Sequence, residues 1–250
     1  MNINDFSAVI FDLDGTIYYG AKLIEGSVKA VEFFKNKGIK VFFGTNNSSK
    51  TRETICNKLN NLGIKCCPEQ ILTSGYLAAI YCLNNKIKDI YICGYNELIV
   101  EFKNQGITIN QEENATNLVI GFNKDATYQD LTSALRVALN AKNIVACNIE
   151  RNYPGDYSLL YPSCGGMVKA IEWCANRECN YIVGKPNSFM IDYLRDKYGI
   201  DKKILVIGDS VEFDVGFAKN GYATPVLIGG NSSLDCIQID AIKDIPYLFE

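Results

Sequence analysis

The chain has 250 residues, 48% apolar and 21% charged, a composition that supports a packed core and argues against a disordered or fibrous protein. Its 25 basic and 28 acidic side chains leave a net charge of −3, so binding to a nucleic acid polymer, which needs clustered positive charge, is not expected. Histidine is absent, which removes Ser-His-Asp and Cys-His triads, His-ligated zinc and imidazole bases. Any catalysis must rest on carboxylates, Lys, Cys, Ser or Thr, or a metal held by oxygen.

The ten cysteines form no C-x-x-C pair and fall mostly in apolar runs, as at Cys56, Cys82, Cys93 and Cys174. They are expected to be buried free thiols, not zinc ligands. No apolar run approaches the ~18 residues that span a membrane. The first apolar stretch lacks a preceding basic region and is interrupted by Asp12, so neither a signal peptide nor a membrane partner is expected. A reducing cytoplasmic compartment follows as the expectation.

Along the chain, residues 7–13 form a compact apolar run ending in acids, which reads as a buried parallel strand. Residues 26–38 read as a helix, with Val28, Val31 and Phe34 at helical spacing and Gly38 as its C-cap. A strand over 40–44, a helix over 51–62 and a short strand over 71–73 follow. The middle repeats this grammar, with strands over 89–93, 117–122 and 144–147 and helices over 95–104, 128–142 and 165–177. Strands over 204–207 and 225–228 flank a helix over 211–220. Alternation of this kind implies an α/β fold with a doubly wound parallel sheet. No composition shift marks a domain boundary, and the pattern alone leaves one domain or two.

Four polar motifs sit where strands end, the place where open α/β sheets bind ligands. Asp12 and Asp14, with Gly15 and Thr16, put two carboxylates at i and i+2. Side by side in a crevice they repel unless a cation shares them, and a hard divalent ion such as Mg²⁺ suits oxygen donors. A plain strand-ending turn is the alternative. Thr45 and Asn46, within residues 44–49, precede a helix and suit an oxyanion such as phosphate, although Ser and Thr also cap helices without any ligand. Lys185, within residues 184–187, could neutralise phosphate or carboxylate charge, or simply be solvated. Asp209 ends another strand and Asp214 lies five residues on; a helix-capping Asp is the alternative there.

Taken together and in order, these motifs resemble those of the haloacid dehalogenase (HAD) superfamily of phosphohydrolases, over essentially the whole chain. The interval between the second and third motifs, with the runs at residues 119–122, 161–166 and 183–186, is similar to the NagD-like subfamily IIA. The resemblance implies a Rossmann-like HAD core over residues 1–80 and 183–250 and an inserted α/β cap domain over 81–182. It implies a Mg²⁺-dependent phosphatase of small phosphorylated metabolites: nucleoside monophosphates, phosphosugars or phosphoglycolate-like acids. Asp12 would be the nucleophile that forms an aspartyl phosphate, and Asp14 the general acid and base. Mg²⁺ would be held by Asp12, the backbone carbonyl of Asp14, and Asp209. Thr45, Asn46 and Lys185 would bind the phosphoryl group, and Asp214 would orient the metal site from behind. A homodimer would be unsurprising in the family. Residues 148–152 look like the family's Asn-x-Asp stretch, but Ile149 replaces the usual Pro and Glu150 stands where Asp is usual. That leaves open whether Glu150 and Arg151 touch substrate. Tyr18 and Tyr19 could line the pocket or pack at the hinge. Two rivals remain: a phosphotransferase or mutase that passes the phosphoryl group to a second substrate, and a non-catalytic phosphoester-binding regulator.

Overall fold

The computed structural model describes residues 1–154, 159–230 and 236–249. They divide into two compact units. The first comprises Met1–Thr45, Glu53–Leu72 and Lys185–Glu250; the second comprises Asn46–Arg52 and Thr73–Gly184.

The first unit is built on strands β1 (Phe6–Phe11), β2 (Tyr18–Tyr19), β3 (Lys22–Leu23), β4 (Lys40–Thr45), β5 (Ile71–Thr73), β12 (Lys203–Gly208), β13 (Thr224–Ile228) and β14 (Ile237–Ile239). Its helices are α1 (Ser27–Asn36), α2 (Arg52–Asn61), α7 (Phe189–Tyr198) and α8 (Gly216–Asn220). Six strands make one sheet in the order β14-β13-β12-β1-β4-β5, and every pairing from β14 to β4 is parallel. Chain order runs outward from β1 in both directions, so β1 is the switch point where such sheets open a crevice. Val9, Ile10 and Phe11 are buried to within 1% of full burial, as a strand covered on both faces requires. Phe11 packs edge-on against Phe34 of α1 and stacks on Phe43 of β4. Each of these rings stabilises the fold by about 1.5–3 kcal/mol through burial. They also fix the backbone one residue before Asp12.

The second unit holds α3 (Ser74–Asn84), β6 (Ile90–Cys93), α4 (Asn96–Asn104), β7 (Asn117–Ile120), α5 (Tyr128–Asn140), β8 (Asn143–Ala146), α6 (Cys164–Ala175) and β11 (Tyr181–Ile182). Its sheet runs β11-β8-β7-β6, all parallel, and β9 (Asn152–Pro154) pairs antiparallel with β10 (Leu160–Pro162) as a separate two-stranded sheet. The unit has its own core, including Leu118, Ile120, Val137, Ile144, Val168 and Ile171.

The α/β class and the doubly wound parallel sheet agree with the reading of the sequence. The boundaries move. Residues 46–52, 73–80 and 183–184, expected in the core, belong to the second unit. Arg52 explains the first shift: its backbone N–H and Nε donate to the buried Glu101 carboxylate, at 3.0 and 3.2 Å, and its guanidinium lies 3.6 Å from the Tyr76 ring centroid. The second shift follows from α3, which the periodicity does not reveal. Gly75, Tyr76, Leu77, Ala78, Ala79 and Cys82 are all buried, so no polar stripe marks a helix. The expected helix over 211–220 is also two pieces, a π-helical turn over Val211–Val215 followed by α8. Among the cysteines, Cys56, Cys82 and Cys93 are buried free thiols as expected, but Cys174 is exposed. It lies off the buried stripe of α6, formed by Cys164, Val168, Ile171 and Ala175. Among the described residues, no helix is long and apolar enough to cross a membrane.

Candidate active site

The site in the first unit follows from strand register. Phe11 pairs with Phe43 on one side and Ile207 on the other, and the Asp12 N–H donates to the Ile207 carbonyl at 2.8 Å. Asp12, Thr45 and Asp209 therefore leave three adjacent strands at nearly the same level. After Asp12 the chain turns sharply: the Leu13 carbonyl accepts from Ile17 N at 2.9 Å and Tyr18 N at 3.1 Å. Gly15 sits in that turn at φ +95°, a conformation that favours glycine. A Cβ there would lie 2.2 Å from Asp209 Oδ2. Gly15→Ala is accordingly expected to cost about 1–2 kcal/mol through the forced φ alone, and to displace the Asp209 carboxylate as well. Thermal unfolding read beside turnover would check this: turnover should fall further than stability does.

Lys185 joins the carboxylates. Its Nζ donates to Asp12 Oδ1 at 2.5 Å and to Asp214 Oδ1 at 2.6 Å, and the side chain is only 4% exposed. Burial works against its charge, but Asp12 and Asp214 outweigh burial and hold the ammonium firmly protonated. Asp214 reaches this position through the π-helical turn. Its Oδ2 accepts from Ser210 N at 3.0 Å, while the Ser210 hydroxyl caps the turn by accepting from Phe213 N at 3.1 Å. Gly208 makes room, because a Cβ there would lie 2.2 Å from the Asp214 carboxyl.

Burial is the main force raising the pKa of Asp12, Asp14 and Asp209. Asp12 is pushed up by burial; Lys185 opposes this, and Asp214 and Asp209 add to it. Asp14 and Asp209 are reached by solvent yet closely enclosed by protein atoms, so desolvation raises both. For Asp14 the opposing influences are Lys58, the Tyr18 hydroxyl and Lys185. The Tyr18 hydroxyl lies 3.5 Å from Asp14 Oδ2, a long hydrogen bond, and the Lys58 ammonium lies 3.3 Å from the Tyr18 ring centroid. Burial lowers the Lys58 pKa while Asp14 supports it. Lys58 escapes sequence reasoning because one lysine on a polar helix face carries no local signal; its four-residue spacing from Thr54 and Leu62 says nothing of Asp14.

Carboxylate oxygens of Asp12, Asp209 and Asp214 lie within 4.8 Å of one another. One buried ammonium bonds two of these three acids, Asp12 and Asp214, and the donors are all oxygen, so the cluster fits a hard divalent cation. Asp214, expected behind the site, contributes its carboxylate to this cluster directly.

The structure thus brings Asp12, Asp14, Lys185, Asp209 and Asp214 together in the first unit, with Thr45 buried at the adjoining end of β4. Asn46 falls in the second unit, where its Nδ2 donates to Glu150 Oε1 at 3.0 Å. Tyr18 is buried in the first unit and Tyr19 is exposed. Arg151 is exposed, and its carbonyl accepts from Ser163 N at 3.0 Å.

Comparison with known proteins supplies the family. The sequence model of haloacid dehalogenase-like hydrolases matches residues 9–108, and a second model of HAD-like hydrolases matches residues 182–238. The solved 4-nitrophenylphosphatase of Thermotoga maritima superimposes with a TM-score of 0.91 at 27% identity, covering 99% of both chains. A structure described as a nagD protein gives the same TM-score at 29% identity, again over 99% of both chains. The sugar-phosphatase AraL of Bacillus subtilis is 28% identical over 98% of this chain and 93% of its own. The chain belongs to the haloacid dehalogenase-like hydrolases. Within them it is one of the NagD-like phosphatases.

Proposed function

We propose that the chain hydrolyses small phosphomonoesters through an aspartyl-phosphate intermediate on Asp12, with Mg²⁺ as cofactor. The observation that carries this reading is the Lys185 ammonium, buried and bonded to both Asp12 and Asp214 beside Asp209. Such an arrangement keeps an ionised carboxylate poised at a site built for a phosphate dianion. Asp12 attacks phosphorus, and the bond to the ester oxygen breaks. Asp14, its pKa raised by burial, gives its proton to the departing alkoxide. The same carboxylate then takes a proton from the water that attacks the acyl phosphate, which frees Asp12 and inorganic phosphate. Thr45 and Asn46 donate to the phosphoryl oxygens, and Lys185 offsets their charge. Mg²⁺, held by Asp12, Asp209 and the Asp14 carbonyl with Asp214 beside them, would screen repulsion between nucleophile and phosphate.

The substrate class is a phosphosugar or a comparable small phosphate. A sugar-phosphatase relative and a 4-nitrophenylphosphatase neighbour support it, and the net charge of −3 disfavours polymeric phosphates. The protein is expected to work in the cytoplasm. Phosphate release from 4-nitrophenyl phosphate, sugar phosphates, nucleoside monophosphates and phosphoglycolate, with Mg²⁺ or with chelator, tests the reading. Release that needs Mg²⁺ and no acceptor supports it. Release only when a sugar acceptor is present would replace it with a phosphotransferase.

The acid role of Asp14 has its own signature. Only the protonated form donates, so turnover of an alkyl phosphate should fall as pH rises through its raised pKa. A nitrophenolate leaves without a proton, and its alkaline limb should be shallower. Identical limbs for both esters would remove Asp14 from the first step.

A further inference from the structure

On the phosphatase reading, Asn46 binds the phosphoryl group, and it lies in the second unit together with Ser74, Asn148, Glu150 and Gly184. Side chains of the second unit grip Asn46 at both its backbone and its amide. Its carbonyl accepts from the Asn148 amide Nδ2 at 2.7 Å and from the Ser74 hydroxyl at 2.7 Å. Its own amide donates to Glu150, and Asn148 Oδ1 accepts from Glu150 N at 3.1 Å. Asn148 and Ser74 are 2% and 0% exposed, so neither bond is shared with bulk water. The two contacts of Asn148 allow one amide orientation only, nitrogen toward a carbonyl and oxygen toward an N–H. Gly184 closes the packing: a Cβ there would lie 2.5 Å from Asn46 Oδ1 and 2.9 Å from Asn148 Cβ.

We infer that Asn148 is the positioning residue for phosphate binding. It clamps the Asn46 carbonyl with one end of its amide and the Glu150 backbone with the other, so that Asn46 is ordered before substrate arrives. Donors fixed in advance cost no ordering at the moment of binding. The clamp joins a residue of the phosphate-binding motif to residues 148–150. Replacing the donor end with an oxygen would set two acceptors face to face.

The test compares Asn148→Asp, Asn148→Ala and Ser74→Ala. KM and kcat are measured separately, inorganic phosphate binding by calorimetry, and folding by thermal unfolding. If the amide acts as a donor, the isosteric Asn148→Asp weakens phosphate binding about tenfold, at least as much as Asn148→Ala does. KM should rise more than kcat falls. Ser74→Ala alone should cost no more than about threefold, because Asn148 still satisfies the carbonyl, and Ser74→Ala with Asn148→Ala should cost more than the product of the two. Asn148→Asp milder than Asn148→Ala would mean that the side chain only fills space, and the inference would fail. So would phosphate binding within twofold of wild type in Asn148→Ala and in the double variant. Calorimetry reads phosphate binding without turnover, so an inactive wild type would overturn the phosphatase reading while leaving the clamp decided by the binding series.

Discussion

Asp12→Asn should abolish turnover, by about 10³-fold or more, and should fold at least as well as the wild type. The two effects come from one arrangement. Asp12 is buried, its pKa is raised by burial, and its oxygens lie within 4.8 Å of those of Asp209 and Asp214. Removing its charge relieves that repulsion. Lys185 does not lose its partner, because Asp214 Oδ1 remains 2.6 Å away. A nucleophile held in a cluster of like charge is a place where stability is given up for function. In chelator the thermal midpoint of the variant should therefore equal or exceed that of the wild type. Added Mg²⁺ should raise the wild-type midpoint more, since an ion that binds only the folded state stabilises in proportion to its affinity. Turnover within tenfold of wild type would mean that another group attacks phosphorus, and the roles assigned around Asp12 would have to be abandoned.

Much of this site could be read before the fold was in view, for a physical reason. Asp12 and Asp209 follow β1 and β12, neighbouring strands of one parallel sheet, which brings their ends to one edge whatever the details of packing, whereas Lys185 follows no strand of that sheet and is marked only by its own motif. Asp214 was nameable from its spacing, but its place in the carboxylate cluster depends on a π-helical turn over Val211–Val215 that no periodicity announces. Lys58 and the Tyr18 hydroxyl reach Asp14 through tertiary packing between a helix and a two-residue strand. Nothing local marks either one.

The division into units was harder to read. α3 is apolar on nearly every side, so the periodic signal of a helix against a polar background never appears. The boundary also cuts through a motif, between Thr45 and Asn46, with no change of composition there. What decides it is a set of long-range polar contacts: Arg52 to Glu101, and Asn46 to Ser74, Asn148 and Glu150. Residues 44–49 read as one polar loop in the sequence, and nothing in their composition marks the division after Thr45.

Lys185→Met should be the more damaging change to the fold. Its ammonium is 4% exposed, and burial opposes its charge; the carboxylates at 2.5 and 2.6 Å more than offset that cost. Methionine keeps the volume but leaves Asp12, Asp209 and Asp214 to repel one another. Removing one partner from a buried ion pair costs about 3–5 kcal/mol at neutral pH, and turnover should fall by about 10²-fold or more as the phosphoryl charge loses its counter-ion. The loss has a direction in pH. Without the lysine, Asp12 and Asp209, whose pKa values burial already raises and Lys185 opposes, have folded-state values still further above their unfolded ones, so the folded state holds more protons than the unfolded. Stability then falls as pH rises through those values and is recovered as pH falls. In chelator, the gap in thermal midpoint between variant and wild type should narrow from about pH 8 to about pH 5. Mg²⁺ should narrow it too, by supplying the missing positive charge. A gap that ignores both pH and Mg²⁺ would show that the lysine contributes packing alone and that the cluster is neutralised by some other means.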